Sequence, residues 1–232
     1  EAAAKASDGH TALVMSNTHT ANETLQPRRP YVLLRDLAPV AAVNVAYHVL
    51  AVHPSLGIAD TAGLIARAKA APGTLDYASS GPGTPYHIAG AVFCAMAGIE
   101  MNHIPFKGSN EARTALLSGQ VPVMFDAIPT MREQIAAGRV TGLGTTGPEP
   151  SPLLPGLPTI AATVPGFEAS IWLGLMMPAG TPTPAIARLH DAVNSILTAA
   201  ATRAGMARGG AQPMPMSVAA FDAFLRRDIE RQ

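Results

Sequence analysis

Apolar residues along this chain fall into short runs separated by polar, glycine-rich or proline-rich breaks. Thr11 to Met15 reads as a strand, and Ser16-Asn17-Thr18-His19-Thr20 after it reads as a polar loop. A long apolar stretch from Val40 to Val52, interrupted at Asn44 and Tyr47-His48, predicts a second strand. Leu64, Ile65 and Ala68 recur at helical spacing, so the pattern predicts a helix from Thr61 to Ala71 that Pro72-Gly73 ends. Strand Leu75 to Ala78, helix 85–97 and strand Met101 to Ile104 follow. Next come helix Asn110 to Leu117, strand Val121 to Phe125, helix Pro129 to Ala137 and strand Val140 to Thr145. Nine Pro or Gly residues between 147 and 166 predict a surface excursion. Strand Ile171 to Met177 then leads to a helix near Pro184 with Ile186, Leu189, Val193, Ile196 and Leu197 as its apolar stripe. Ser217 reads as the N-cap of a last helix, Val218 to Glu230. This alternation predicts an α/β fold with a mainly parallel sheet.

The most informative stretch is Ser79-Ser80-Gly81-Pro82-Gly83-Thr84-Pro85-Tyr86-His87, between a strand and an apolar helix. It places backbone N–H groups and hydroxyls at a helix N-terminus, where orphan amides and the helix dipole favour an anion. No Gly-Lys-Ser/Thr ending and no third glycine at dinucleotide spacing accompany it, so a small anion fits better than a nucleotide. Ser79, Ser80 and Thr84 serve here either as helix caps or as ligand contacts. His87 either bonds the turn or meets the ligand. Asp126 ends an apolar strand at the sheet edge, where a bare carboxylate repels an anion unless water or a ligand amine intervenes.

With 16 basic and 16 acidic residues the chain has no electrostatic case for nucleic acid or an anionic membrane. Cys94 is the only cysteine, which excludes an intrachain disulfide, and no apolar run is long enough for a membrane span. No His/Cys/Asp/Glu set has metal-ligand spacing, and no cofactor is expected. Ser79, His87 and Asp126 are the residue types of a hydrolase triad, but no Gly-x-Ser-x-Gly elbow holds the serine, and no catalytic residue is assigned. The opening Glu1-Ala2-Ala3-Ala4-Lys5 reads as the end of a helix whose beginning is absent, as in a truncated or processed sequence. Asp8-Gly9 reads as a turn.

Several segments together resemble the substrate-binding receptors of tripartite tricarboxylate transporters, the Bug or TctC-like family. They are Asp8-Gly9-His10-Thr11, Val52-His53-Pro54-Ser55, Leu75 through His87, His103-Ile104-Pro105-Phe106-Lys107-Gly108-Ser109 and Ser118 through Asp126. Leu154 through Thr159, Pro178 through Pro182 and Ser217 to Phe221 complete the set, which spans almost the whole chain. The resemblance implies a two-lobed, type II periplasmic binding fold, each lobe a mainly parallel sheet flanked by helices. Lobe 1 would hold residues 1–50 and 171–232, lobe 2 residues 51–170, with a small organic carboxylate trapped between them at a hinge. It implies ligand-side candidates Ser16, Asn17 and Thr18 in lobe 1. In lobe 2 they are Ser79, Ser80, Gly81, Gly83, Thr84, His87 and Asp126, with Lys107 and Gly108 beside them. It further implies a monomeric, non-catalytic periplasmic protein that delivers its ligand to integral-membrane transporter subunits. The family's opening strand, Pro-Gly-Gly loop and helix have no counterpart in this sequence. The readings that stand against it are an α/β hydrolase-like enzyme acting on a carboxylate or ester, and a ligand-sensing module for a signalling partner.

Overall fold

A computed structural model describes residues 10–26 and 28–231. The expected Asp8-Gly9 turn, the Glu1–Lys5 helix end and Pro27 lie outside the described residues. The chain divides into two compact units, one ending at Ala46 and resuming at Ile171, the other formed by Tyr47–Ser170.

In the first unit, β1 (Leu13–Ser16) leads directly into helix α1 (Asn17–Leu25), where the sequence predicts a loop. The polar run is helical because its ends are tied. Ser16 caps the first turn through Thr18 N–H and His19 Nδ1 accepts from Ser16 N–H. At the far end the Arg29 guanidinium donates to the carbonyls of Asn22, Glu23 and Gln26 at 2.6, 2.7 and 2.8 Å. A cation there satisfies orphan carbonyls and complements the dipole. The short helix α2 (Leu33–Asp36) precedes β2 (Leu37–Val52), whose first half belongs to this unit.

The second unit begins within β2 and continues through α3 (Thr61–Ala70), β3 (Asp76–Ser79), α4 (Pro85–Ala97), β4 (Asn102–Pro105) and α5 (Ser109–Leu117). Then come β5 (Val123–Ala127), α6 (Ile128–Ala136) and β6 (Thr141–Thr145). The chain returns to the first unit with β7 (Ser170–Pro178), α7 (Thr183–Thr198), α8 (Ala200–Arg208), β8 (Ala211–Pro213) and α9 (Val218–Arg231).

The second unit's sheet runs β6-β2-β5-β3-β4. Its strands are mixed in direction, a correction to the mainly parallel sheet. β3 is parallel to β4 and β5, whereas β2 is antiparallel to β5 and β6. In the first unit β1 pairs antiparallel with β7, and β8 antiparallel with β2. One long strand that enters a second unit is not delivered there by a βα crossover, so nothing constrains it to run parallel.

The strands read as unbroken apolar runs because both faces of this sheet are covered. Leu50, Val52, Tyr77 and Phe125 face α3 and α4, where Leu64, Ala68, Ala89 and Phe93 meet them. Val49, Ala51, Ala78 and Met124 face α5 and α6 through Ala112, Leu116, Ile128 and Met131. The glycine- and proline-rich stretch after β6 contributes to the core as well as to the surface, since Leu154, Ile160, Val164 and Phe167 are buried. Phe93, Phe125 and Phe167 form an aromatic trio with centroids 5.8 to 6.3 Å apart.

The first unit closes around Trp172, Met15, Leu33, Leu37, Met176, Phe221 and Leu225. On α7, Ile186, Leu189 and Val193 pack on Val40, Ala41 and Met177, as their spacing predicts. Ile196 departs from that stripe and is exposed, while Leu197 is buried.

Candidate functional site

The candidate site gathers at one edge of the second unit's sheet. Strands β3 and β5 end there, at Ser79 and Ala127. His48 of the antiparallel β2 pairs with Ala127 and so lies at the same edge. In open α/β sheets this is the edge at which loops present ligand groups.

The turn between β3 and α4 needs its glycines. Gly81 and Gly83 have φ of +122° and +71°, a region side-chain-bearing residues rarely adopt. Thr84 is the extended N-cap of α4 and Pro85 occupies its first turn. The Thr84 hydroxyl donates back to the Gly81 carbonyl at 2.7 Å instead of capping the helix. Gly83 N–H donates to His87 Nδ1 at 3.0 Å, so His87 organises the turn.

Ser79 is also internal. Fully buried, it accepts from Gly81 N–H at 3.1 Å and stands 2.6 Å from His103 Nε2. This corrects Ser79 as a direct ligand contact. The Ser79–His103 distance suits a nucleophile and its base, but the hydroxyl has no access to substrate. The conceivable triad is not assembled either, because His87 and Asp126 bond elsewhere. What the turn leaves over is Ser80. Half-buried, its hydroxyl and amide make no hydrogen bond among the described residues. The first-turn amides of α4 stand beside it.

Asp126 is fully buried and cannot meet a ligand directly, which corrects its placement among the contacts. Its carboxylate takes Arg113 Nε at 2.7 Å and Ala127 N–H at 2.8 Å. The Tyr86 hydroxyl bonds to it too, and burial together with Asp126 pushes that phenol up. Arg113, on α5, also donates to Asn110 Oδ1 at 3.0 Å. The sequence reading missed Arg113. The available signal was Asp126 itself, because a carboxylate at the end of a buried strand demands a cation.

Lys107 is exposed, its N–H directed to Glu111 Oε2. Gly108 has an extended backbone with open space around its Cα, so no ligand approach explains its glycine. In the first unit Ser16 is the cap of α1, Asn17 is buried and Thr18 is half-buried in its first turn. The structure therefore brings the seven second-unit candidates of the turn and β5 to one edge, and leaves Ser80 as the open polar group, since the Gly81 and Gly83 amides are already bonded to Ser79 and His87. An anion there would be held by dipoles rather than by a formal charge.

His87 and His103 stack at 3.9 Å between ring centroids, and Tyr77 stacks on His103 at 5.1 Å. Burial, then the neighbouring His87, hold His103 down at about 4, and burial alone holds the enclosed His48 at about 4. A depressed histidine stabilises the fold fully above its unfolded value of 6.5, and that contribution is lost as pH falls through the window to about 4. For His48 alone the loss is on the order of 3 kcal/mol. Urea midpoints should therefore drop steadily from pH 7 to pH 4.5. A flat profile would show that neither imidazole is held neutral by the fold.

Among the described residues no helix is long and apolar enough to cross a membrane, and no cluster of three or more metal-ligating side chains occurs.

Solved structures share this architecture. One is Rpa4515 of R. palustris with adipate, 30% identical with a TM-score of 0.88, covering 99% of this chain and 78% of that one. Another is MatC of Rhodopseudomonas palustris with bound malate, 27% identical with a TM-score of 0.84, covering 99% and 80%. The model of the tripartite tricarboxylate transporter family receptor, TctC, matches residues 1–232, and the chain belongs to that family. A Pseudomonas relative, the UPF0065 protein in the tcbD-tcbE intergenic region, is 38% identical over 83% of this chain, and BugT of Bordetella pertussis is 33% identical over 99%. The chain spans 58% of the length of the first relative and 71% of the second.

Proposed function

We propose that this chain is the ligand-binding part of a periplasmic receptor that captures a small organic carboxylate and passes it to a tripartite tricarboxylate-type membrane transporter, without catalysing a reaction. The observation that carries the reading is the β3–α4 turn. Two glycines in positive φ hold it, Thr84, Ser79 and His87 lock it from within, and the Ser80 hydroxyl and amide remain for an anion. The adipate and malate of the structural neighbours support a carboxylate as that anion. Family membership supports the transporter partner and the compartment.

Ligand binding to the folded state alone raises the melting temperature with concentration. Adipate or malate should shift the melting curve of the wild-type chain, and Ser80→Ala should reduce the affinity about tenfold, the loss of one hydrogen bond to a charged group. The fold of S80A should be unchanged, since Ser80 makes no hydrogen bond among the described residues. Equal affinities for wild type and S80A by titration calorimetry would remove the turn from the site.

A further inference from the structure

The turn that carries the proposed anion site depends on one nitrogen of one side chain. Gly83 N–H donates to His87 Nδ1 at 3.0 Å. A backbone amide can only donate, so this nitrogen keeps its lone pair and the proton of the neutral ring sits on Nε2. His87 is the third residue of α4, whose N-cap is Thr84. Its ring therefore reaches back from the first helical turn and ties down the second of the two positive-φ glycines.

A proton on Nδ1 would set two donors against each other at that contact, and the bond could not persist. Turning the ring over to offer Nε2 does not help, because an imidazolium carries a proton on both nitrogens.

The surroundings give such a charge no support. His87 is half-buried in the first turn of a helix, where the dipole opposes a cation. Strands β3, β4 and β5 pack against α4. On β4, His103 stacks on the ring with centroids 3.9 Å apart. On β3, Tyr77 stands behind His103, and Asp76 accepts from Asn102 at 3.0 Å. On β5, Asp126 is taken by Arg113, and Tyr86 of α4 bonds it too. Cys94 lies further along α4. Beyond β4, Lys107 is exposed and Glu111 accepts Lys107 N–H at 3.3 Å. None of these carboxylates pairs with His87. Burial holds the His87 imidazole below its usual value of 6.5.

We propose that His87 is a proton-operated latch: with Nδ1 bare it holds the β3–α4 turn in the form that binds an anion at Ser80, and a proton on Nδ1 opens the turn and releases the anion. The inference rests on the carboxylate-receptor reading and adds a regulation of that site. It has a definite sign. Simple charge attraction would make an imidazolium beside an anion strengthen binding in acid. The latch makes acid weaken it. Affinity is full above pH 6.5 and falls as pH drops through the depressed His87 value, by up to about tenfold per pH unit. By reciprocity the bound ligand must make His87 harder to protonate.

The test follows malate and adipate binding by titration calorimetry from about pH 7.5 to about pH 4.5. His87→Asn keeps an acceptor for Gly83 N–H but takes up no proton in this range. Each protein is compared with its own affinity at the upper pH, so the ligand's own titration cancels between them. The fall in wild type should exceed that in H87N by about tenfold at the acid end. A second measurement needs no variant and decides the matter if H87N does not fold. The His87 midpoint, followed by NMR of the wild-type imidazole, should move to lower pH when the ligand saturates the protein. Equal falls in the two proteins, or a midpoint that stays or rises, overturn this inference alone. No binding of either acid by wild type at neutral pH overturns the carboxylate reading and this inference together.

Discussion

Replacing Arg113 with Met is expected to destabilise the protein by about 3 to 5 kcal/mol, because it leaves the Asp126 carboxylate buried without its cation. Asp126 is fully enclosed and Arg113 nearly so, at 0% and 17% side-chain exposure, so water cannot replace the lost partner. Ala127 N–H and the Tyr86 hydroxyl remain on the carboxylate, but neither carries a charge. The double variant Arg113→Met, Asp126→Asn should recover most of the loss, since it removes both charges at once. Urea unfolding followed by circular dichroism measures both. A single variant as stable as wild type would mean that Asp126 is satisfied by its neutral partners, and the ion pair would lose its role in shaping the site edge.

An effect of comparable size is expected in the other unit from Trp172→Ala. The indole is 1% exposed and packs edge-on against Phe221 and Phe224, with centroids 6.2 and 5.2 Å away. Truncating a buried Trp costs about 3 to 5 kcal/mol, the transfer term plus that of the cavity left behind. Trp172→Phe should cost markedly less, because a ring still fills much of the space. Thermal melts of the three proteins decide the matter. Equal losses for Phe and Ala would indicate that the shape of the indole, rather than apolar volume, holds that core together.

The elements that were legible in the sequence are those whose partner is a face. β2, β3 and β5 announce themselves as apolar runs, and α7 as a stripe, because burial against any apolar surface demands that pattern. Helix α1 was not legible. Asn17-Thr18-His19-Thr20-Ala21-Asn22-Glu23-Thr24-Leu25 carries no stripe, and its order comes from Ser16, from Arg29 beyond its end, and from the Thr20 hydroxyl on Asp228 at 2.5 Å. Strand direction was equally hidden, since an apolar run reads the same in either sense.

The site divides along the same line. The β3–α4 turn was readable because glycine, proline and hydroxyl residues state its backbone requirements locally. Which of its hydroxyls stays open was not readable, because Ser79 is claimed by His103 on β4 and Thr84 by a carbonyl of its own turn. Asp126 likewise looked available until the fold brought α5 to it. Pairings between side chains far apart in sequence leave no periodic trace, and they decide which polar groups face a ligand.

The division at Ala46–Tyr47 and Ser170–Ile171 also sets an order in time. Tyr47–Ser170 is one continuous stretch, so everything the second unit needs is synthesised before the first unit's missing half exists. Domains fold as units as the chain emerges. β1, α1 and the leading half of β2 must therefore wait, without β7, α7, β8 and α9, while the whole of their neighbour is made. During that interval the unpaired first half of β2 is the part of the molecule most in need of protection by a chaperone, and a mutation that slows translation beyond residue 170 would lengthen it.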